Sequence, residues 1–586
     1  MTKKQQSMHV NRITRHYRDK SGAERVYVSS LLRRTYRDSG KVCHETLANL
    51  SALPDAAIDA LQAVLKNKTL VVAGEGLEIT RSLPHGHVAA AAAMARKLGF
   101  PDILGPPGKE RDIAYGVILA RVVHPAPKLA TAKWVKDTTL ASDLGLGDLC
   151  TDEIYKAMDW LVERQESIER TLVRRHLGKG PDASALAYFD LSSSWVEGTH
   201  NELAAFGYSR DKKRGKAQIE YGLMTDKEGR PVAIEVFPGN TSDPKAFVSM
   251  VDKVRSRFSL DRLTMVGDRG MITTARIDAL KEIGGFSWIT ALRAPQIKAL
   301  AADGGPVQLS LFDQMDLAEI DHPDYPSERL VVCRNPLVAE ERTRKREELL
   351  KATEADLKKI SISVSSGRLK DETKIVLRVG KVLNRHKMAK HFDIEITGNT
   401  LFVKRRDDKI AEEKALDGIY LLRTNLNQED LDAGGVVRAY KALSNVERDF
   451  RHIKVDDLAL RPIHHRLDPR VRSHVFICML ASYLVWHLRQ VLAPVCFTDE
   501  EPSVRENPVA PSKRSPGAAA KASAKKNRNG EEVCSFRGLL DHLGTLTRNT
   551  VRTTISTVTE FDLLATPTHL QRRVFELLGV PIPRRI

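Results

Sequence analysis

Apolar and polar positions follow two rhythms along this chain, and the places where one gives way to the other outline its organisation. Between residues 439 and 453 the apolar side chains Ala439, Leu443, Val446, Phe450 and Ile453 advance by steps of four and three, the spacing of a helix that buries one face. Tyr440, Ser444, Glu447, Arg451 and Lys454 keep the same steps one residue on, so they form a polar stripe about 100° around the helix. That stripe borders the buried seam rather than opposing it, and one helix is expected to carry both.

Upstream, SALAYFDLSSSW reads as a buried strand with Asp190 at its tip. AQIEYGLMT and RPVAIEVFPGN, joined by the tight-turn sequence DKEG, read as a hairpin over residues 217 to 237. A helix in DPKAFVSMVDKVRSRF precedes a strand in RLTMVGDRGM that ends in Asp268. A helix in TTARIDALKEIGG, stopped by glycine, leads to a further strand in FSWITALR. The order strand, strand, strand, helix, strand, helix, strand makes residues 183–298 the first part of an α/β domain. Residues 299–417 break the pattern with short strands such as ERLVVCR and NTLFVKRR around the charged helix EERTRKREELLKATEADLKKI, and are expected to be an inserted strand-rich domain. Residues 418–495, from the strand DGIYLLRTN through the 440–454 helix, return to the α/β domain.

At the N-terminus, residues 1–75 read as a basic α+β module, with strands in ERVYVSSLLRRTYRD and a helix from Pro54. Residues 76–182, rich in Ala, Leu, Arg and Lys, read as a helical, DNA-binding region. EPSVRENPVAPSKRSPGAAAKASAKKNRNG lacks the apolar groups that offset ordering entropy, so residues 496–532 are expected to be a flexible linker. Amphipathic helices in FRGLLDHLGTL and THLQRRVFELLGV make residues 533–586 a C-terminal helical region.

The net charge of +17 favours polyanions, nucleic acid foremost. The six scattered cysteines form no C-x-x-C pair, which argues against a zinc finger or a disulfide framework. The polar, basic start MTKKQQSMHVNRITRHYRDK lacks a secretory signal, and VFICMLASYLVWHL is too short to span a bilayer. A cytoplasmic, nucleoid-associated protein with no membrane partner is expected.

Two strand-end aspartates and Glu447 on the helix stripe bring three carboxylates toward one sheet edge. Such groups repel one another and are tolerated when a cation neutralises them. Hard oxygen donors without cysteine or a histidine trio favour Mg²⁺, or Mn²⁺, over zinc. Two such ions acting on a phosphodiester would activate a hydroxyl or water on one side and steady the leaving oxygen on the other. The loop residues Lys212, Lys213 and Arg214 of SRDKKRGK, beside the first of these strands, are candidate phosphate contacts. Glu197 and Asp243 are taken as scaffold, and the roles of His464 and His465 stay open.

YFDLSSSWVEG, GYSRDKKRGKAQIEYGLMTDKEGRPVAIEVFPGNTSD and MVGDRGMIT resemble the blocks around the first two catalytic aspartates of the DDE transposases of bacterial insertion sequences. Tyr440, Glu447 and Lys454 match three positions of the Y-x2-R-x3-E-x6-K motif found in the branch named after insertion sequence four; Leu443 stands where that motif has arginine. The resemblance implies a ribonuclease H-like catalytic domain with Asp190, Asp268 and Glu447 as catalytic and metal-binding residues, and with Tyr440, Lys454 and, in place of the motif arginine, Arg451 or Arg448 as DNA phosphate contacts. It further implies DNA cleavage and strand transfer at terminal inverted repeats, a second DNA as target, and a homodimer that holds both ends. A ribonuclease H-like nuclease that cuts without joining, and a non-catalytic DNA-binding protein descended from a transposase, are the alternatives.

Overall fold

The computed structural model of the chain describes residues 7–18, 24–38, 41–68, 70, 77–178, 185–258, 260, 262–302, 306–307, 316–398, 400–502, 507–511, 513–553 and 560–586. They fall into two units, Met1–Leu83 with Arg548–Ala565, and Pro84–Thr547 with Thr566–Ile586.

In the first unit, β1 (Ser7–Arg18), β2 (Glu24–Asp38) and β3 (Lys41–Asn49) form an antiparallel sheet in chain order. Helix α1 (Asp55–Leu65) follows Pro54 as the sequence predicts, and it packs Ile58, Leu61 and Leu65 on Val10, Leu32 and Leu50. β4 (Leu77–Pro84) follows.

The second unit begins with α2 (Gly86–Lys97), α3 (Phe100–Leu104), α4 (Lys109–Val123), α5 (Lys128–Lys136), α6 (Thr139–Asp143), α7 (Thr151–Glu163) and α8 (Gln165–His176). These helices are not a module of their own, which corrects the expected boundary at residue 182. Ala89, Ala90, Ala91, Ala92 and Ala95 of α2 are buried, as are Arg121 and Lys128. Glu169 of α8 accepts the Ile234 amide at 2.9 Å and pairs with the Lys253 ammonium at 2.7 Å, which fastens the layer to the sheet domain.

β5 (Leu186–Trp195), β6 (Gln218–Thr225) and β7 (Pro231–Pro238) form an antiparallel meander. After α9 (Asp243–Ser256), β8 (Leu263–Val266) pairs parallel to β5; after α10 (Thr274–Ile283), β9 (Phe286–Ala291) pairs parallel to β8. This is the order of elements the apolar rhythm predicts, in a mixed α/β fold. Beyond α11 (Ala294–Leu300), β10 (Leu317–Ile320) and β11 (Arg329–Arg334) join the same sheet, so they are not part of a separate insertion. The apolar run of β11 is explained by burial in the sheet: Leu330, Val331, Val332 and Cys333 are all fully buried.

The insertion proper is shorter and more helical than expected. It holds α12 (Pro336–Ser365), α13 (Glu372–His386), the hairpin β12 (Phe392–Thr397) and β13 (Thr400–Arg405), and α14 (Asp407–Ala415). Leu350, Leu357, Val364, Ile375, Phe392 and Leu401 give it a core of its own. β14 (Ile419–Thr424) then pairs antiparallel to both β11 and β9, completing the sheet order β10-β11-β14-β9-β8-β5-β6-β7. At the neck of the insertion Arg334 faces Ile419 in register, and the Asn335 amide donates to the Gly418 carbonyl at 2.9 Å. Gly418 has φ +76°, and a Cβ there would lie 2.4 Å from the Asn335 carbonyl oxygen, so glycine is required.

The helix expected over residues 440–454 is three pieces: α15 (Ala433–Lys441), a break at Ala442, then α16 (Leu443–Arg451) running into a π turn over His452–Asp456. α17 (Asp468–Val491) is longer than the apolar run that marks it. By length and composition alone it meets the criterion for a membrane span, but 83% of its most apolar window is buried, with α4, α7 and β7 packed around it. It is the central core helix of this unit.

The linker expectation is also corrected. Among the described residues of 496–532, α18 (Pro516–Ala524) is capped by Ser515 and buries Lys521, whose ammonium donates to the Ala493 carbonyl at 2.8 Å. The Cys496 and Thr498 carbonyls and the Glu500 carboxylate face the same ammonium, so this buried cation is partnered. Residues 533–586 carry the two expected helices, α19 (Phe536–Gly544) and α20 (His569–Leu578), but β15 (Thr547–Thr553) and β16 (Glu560–Leu564) stand between them and complete a three-stranded sheet with β4.

Candidate active site

Parallel pairing of β5 with β8 covers only Leu186–Tyr188 opposite Thr264–Val266. β8 then leaves the sheet, whereas β5 runs on to Trp195 against β6 alone. Asp190 therefore lies inside a strand, not at its tip, but at the crevice opened where the parallel neighbour ends. Crevices at the carboxyl ends of parallel strands are where sheets of this kind place their ligands. Asp268 follows two residues after β8, and its carboxylate accepts the amides of Gly270 at 2.9 Å and Met271 at 2.8 Å. The turn holds one carboxylate oxygen and fixes the side chain's direction.

α16 closes the crevice. Val446, Phe450 and Ile453 are buried, and Phe450 meets the Tyr221 ring edge-on at 5.7 Å, so the apolar seam packs on the sheet as its spacing predicts. Leu443 is only partly buried, because the break at Ala442 lies directly before it. Glu447 stays exposed on the adjoining stripe. The fields of Asp268 and Glu447 both reach Asp190; those of all three reach Tyr440. Burial first, and then these two carboxylates, push the Asp190 carboxyl up to about 7; the Leu191 amide and the Arg210 guanidinium pull the other way. Burial, with the same acids behind it, pushes the Tyr440 phenol up to about 12, so it stays a hydrogen-bond donor at neutral pH.

Carboxylate oxygens alone make this donor set, and it suits a hard divalent cation. A cation would offset both the burial and the neighbouring negative charges that raise the Asp190 carboxyl. Among the described residues no three His, Cys, Asp or Glu side chains stand closed up at metal-ligand spacing, so the exposed Glu447 side chain would have to turn inward to complete such a set.

The candidate phosphate contacts divide into two groups. Lys212, Lys213 and Arg214 are exposed, with the Lys213 ammonium 5.0 Å from the Trp195 ring centre. Arg451 is exposed, and exposed Arg448 donates to the Asn445 side chain at 2.9 Å. Lys454 departs from the stripe. The π turn buries it beside Ile453, and its ammonium pairs with Asp211 at 2.9 Å, an acid that also pairs with Arg461. A buried ammonium needs such a partner, and the widened turn is what carries Lys454 to it.

Glu197 pairs with Lys216 at 2.8 Å, in keeping with a scaffold role. His464 is exposed. His465 belongs to an interior cluster, its ring 5.0 Å from that of His474, and burial, reinforced by Lys128 and Arg121, holds it neutral, down at about 3. The residues that sequence reasoning undervalued are Arg210, Asp211 and Asp243. Arg210 pairs with Asp243 and, at 3.2 Å, with buried Glu220; Asp211 ties the same loop to the π turn. The single acid Asp211 among the five basic residues of SRDKKRGK was the available signal, since an acid kept inside a basic run points to local pairing.

Behind the site, Asp449 of α16 is buried, and burial pushes its carboxyl up to about 8. Its folded value exceeds the unfolded one, so between roughly pH 4 and 8 the native state holds the extra proton and stability falls as pH rises. Asp449→Asn is expected to raise the melting temperature at pH 8.5 while changing little at pH 4.5. Thermal melts at the two values check this; an equal shift at both would refute it.

A family profile described as a transposase DDE domain matches residues 189–484, and one described as the N-terminal domain of IS1634 family transposases matches residues 13–73. No curated protein matches the chain.

Proposed function

The chain belongs to the DDE transposase family of insertion sequences, and on that premise we propose that it cuts DNA at the terminal inverted repeats of its own element and joins the freed 3′ ends to target DNA. What supports the reading is the placing of Asp190 within β5 beside the end of β8, of Asp268 in the turn after β8 and of Glu447 on the packed helix α16, with the fields of Asp268 and Glu447 reaching Asp190. The strand order β7-β6-β5-β8-β9, with three antiparallel strands and two parallel to the first, supports a ribonuclease H-like core.

Asp190, Asp268 and Glu447 would hold Mg²⁺ or Mn²⁺, two ions in the full set. The bound ions would supply charge stabilisation at the attacking and leaving oxygens of an in-line displacement. The chain's own residues orient the scissile strand. Arg448, Arg451, Lys212, Lys213 and Arg214 offer exposed cations for phosphates, and Tyr440 offers a neutral phenol beside the carboxylates. Water attacks first and the 3′-hydroxyl second, so no covalent protein intermediate is needed. Two ends cut and joined together imply a homodimer in the working complex.

Incubation of the full chain with Mg²⁺ and linear DNA carrying candidate element ends is expected to give 3′-hydroxyl cleavage products and then strand-transfer products, separable on denaturing gels. Cleavage without joining would replace this reading with a plain nuclease; specific binding without cleavage, with a DNA-binding protein.

A further inference from the structure

The field of the Arg210 guanidinium reaches the Asp190 carboxyl and opposes the rise that burial and the neighbouring acids produce. Its loop is pinned on both sides. The Arg210 amide donates to Ser193 Oγ of β5 at 3.1 Å, and the neighbouring Asp211 pairs with Lys454 at 2.9 Å and with Arg461. The guanidinium is held between two acids: Asp243 in the first turn of α9, and Glu220, which is 2% exposed and whose Oε2 has no hydrogen-bond partner. Asp243 faces the site as well. A Cβ placed on Gly270 would lie 3.3 Å from an Asp268 carboxylate oxygen and 3.8 Å from one of Asp243, so the two carboxylates border the same small space beneath the Gly270 turn.

We propose that Arg210 is the resident counter-ion of the carboxylate site and that Asp243 is its fourth carboxylate, held by the guanidinium until a divalent cation takes over that role. This rests on the reading of Asp190, Asp268 and Glu447 as the cation-binding set. A guanidinium beside the set offsets part of the mutual repulsion of the acids, which keeps them together in the metal-free chain, and it opposes an incoming cation by like charge. Entry of the cation would release Arg210 from Asp243. The released guanidinium lies in the same loop as Lys212, Lys213 and Arg214, whose exposed charges face incoming phosphate, so cation loading and phosphate capture draw on one segment.

Mn²⁺ binding to the full chain, read from the electron paramagnetic resonance signal of free Mn²⁺, tests this without reference to activity. R210Q is expected to bind Mn²⁺ about tenfold tighter than the parent chain, and R210K, which keeps the charge, to bind like the parent. R210Q/D243N is expected to lose most of that gain, because the fourth carboxylate goes with it; if it binds as tightly as R210Q, Asp243 is only an anchor for Arg210 and its role as a ligand is overturned. R210Q leaves Glu220 buried without its cation, so R210Q/E220Q serves as the variant that keeps the fold, and the same tightening is expected of it. Unchanged or weaker binding in R210Q/E220Q, with binding lost in D190N, would overturn the counter-ion alone. Parent-like Mn²⁺ binding in D190N would overturn the underlying site as well.

Discussion

Asp190→Asn is expected to lower DNA cleavage and end joining about 10³-fold, the scale of loss when one preorganised electrostatic group is removed from a reacting centre, while binding to element ends stays within a few-fold. The amide matches the carboxylate in size and keeps an oxygen to accept the Leu191 amide, which Asp190 holds at 2.8 Å. Only the charge is lost. In a chelator the variant is expected to melt higher than the parent chain at pH 8. Burial and the neighbouring acids hold Asp190 at about 7, above its unfolded value, so as pH rises through that window ionisation costs the native state stability that asparagine does not lose. A rise of about 2–4 °C, measured beside the activity loss, separates a chemical defect from a folding defect. Retained cleavage would remove Asp190 from the site, and a lower melting temperature would mean that its carboxylate is structural.

The second large effect lies outside the chemistry. Lys253→Met is expected to destabilise the second unit by about 3–5 kcal/mol, because it leaves the Glu169 carboxylate buried without its cation. The Lys253 ammonium sits 2.7 Å from Glu169, 3.0 Å from Glu235 and 3.0 Å from the Ile234 carbonyl, tying α8, α9 and β7 into one corner. Adding Glu169→Gln to Lys253→Met is expected to restore most of the loss, since the neutral side chain removes the unpaired charge and still accepts the Ile234 amide. Urea unfolding of parent, single and double variants measures both steps. A single variant within about 1 kcal/mol of the parent would show that water reaches the pair.

Much of this was legible in the sequence. The seam Ala439, Val446, Phe450 and Ile453 is buried where its spacing placed it, and the strand and helix order from Leu186 to Ala291 follows the apolar rhythm. Sequence reasoning failed where rhythm carries no tertiary information. The stop of β8 at Val266, which makes Asp190 a crevice residue within a longer strand, depends on the lengths of paired neighbours. β10 and β11 were assigned to an insertion because nothing local distinguishes a strand of the main sheet from a strand of an inserted one. Lys454 was placed by a 3.6-residue repeat, and the π turn over His452–Asp456 departs from that repeat. Asp243, as the first residue of α9 before a proline, carries the ordinary signature of a helix entrance, and that signature conceals its other neighbour.

The neck at Asn335 and Gly418 gives the insertion an unusual kind of independence. Because β11 ends and β14 begins as register partners, everything between them leaves the sheet and returns to it at a single rung. Topologically, α12 through α14 is the loop of one very long β-hairpin. Residues gained or lost there do not shift the pairing that supports Asp190, Asp268 and Glu447, so the insertion and the carboxylate crevice are free to change at different rates within one chain.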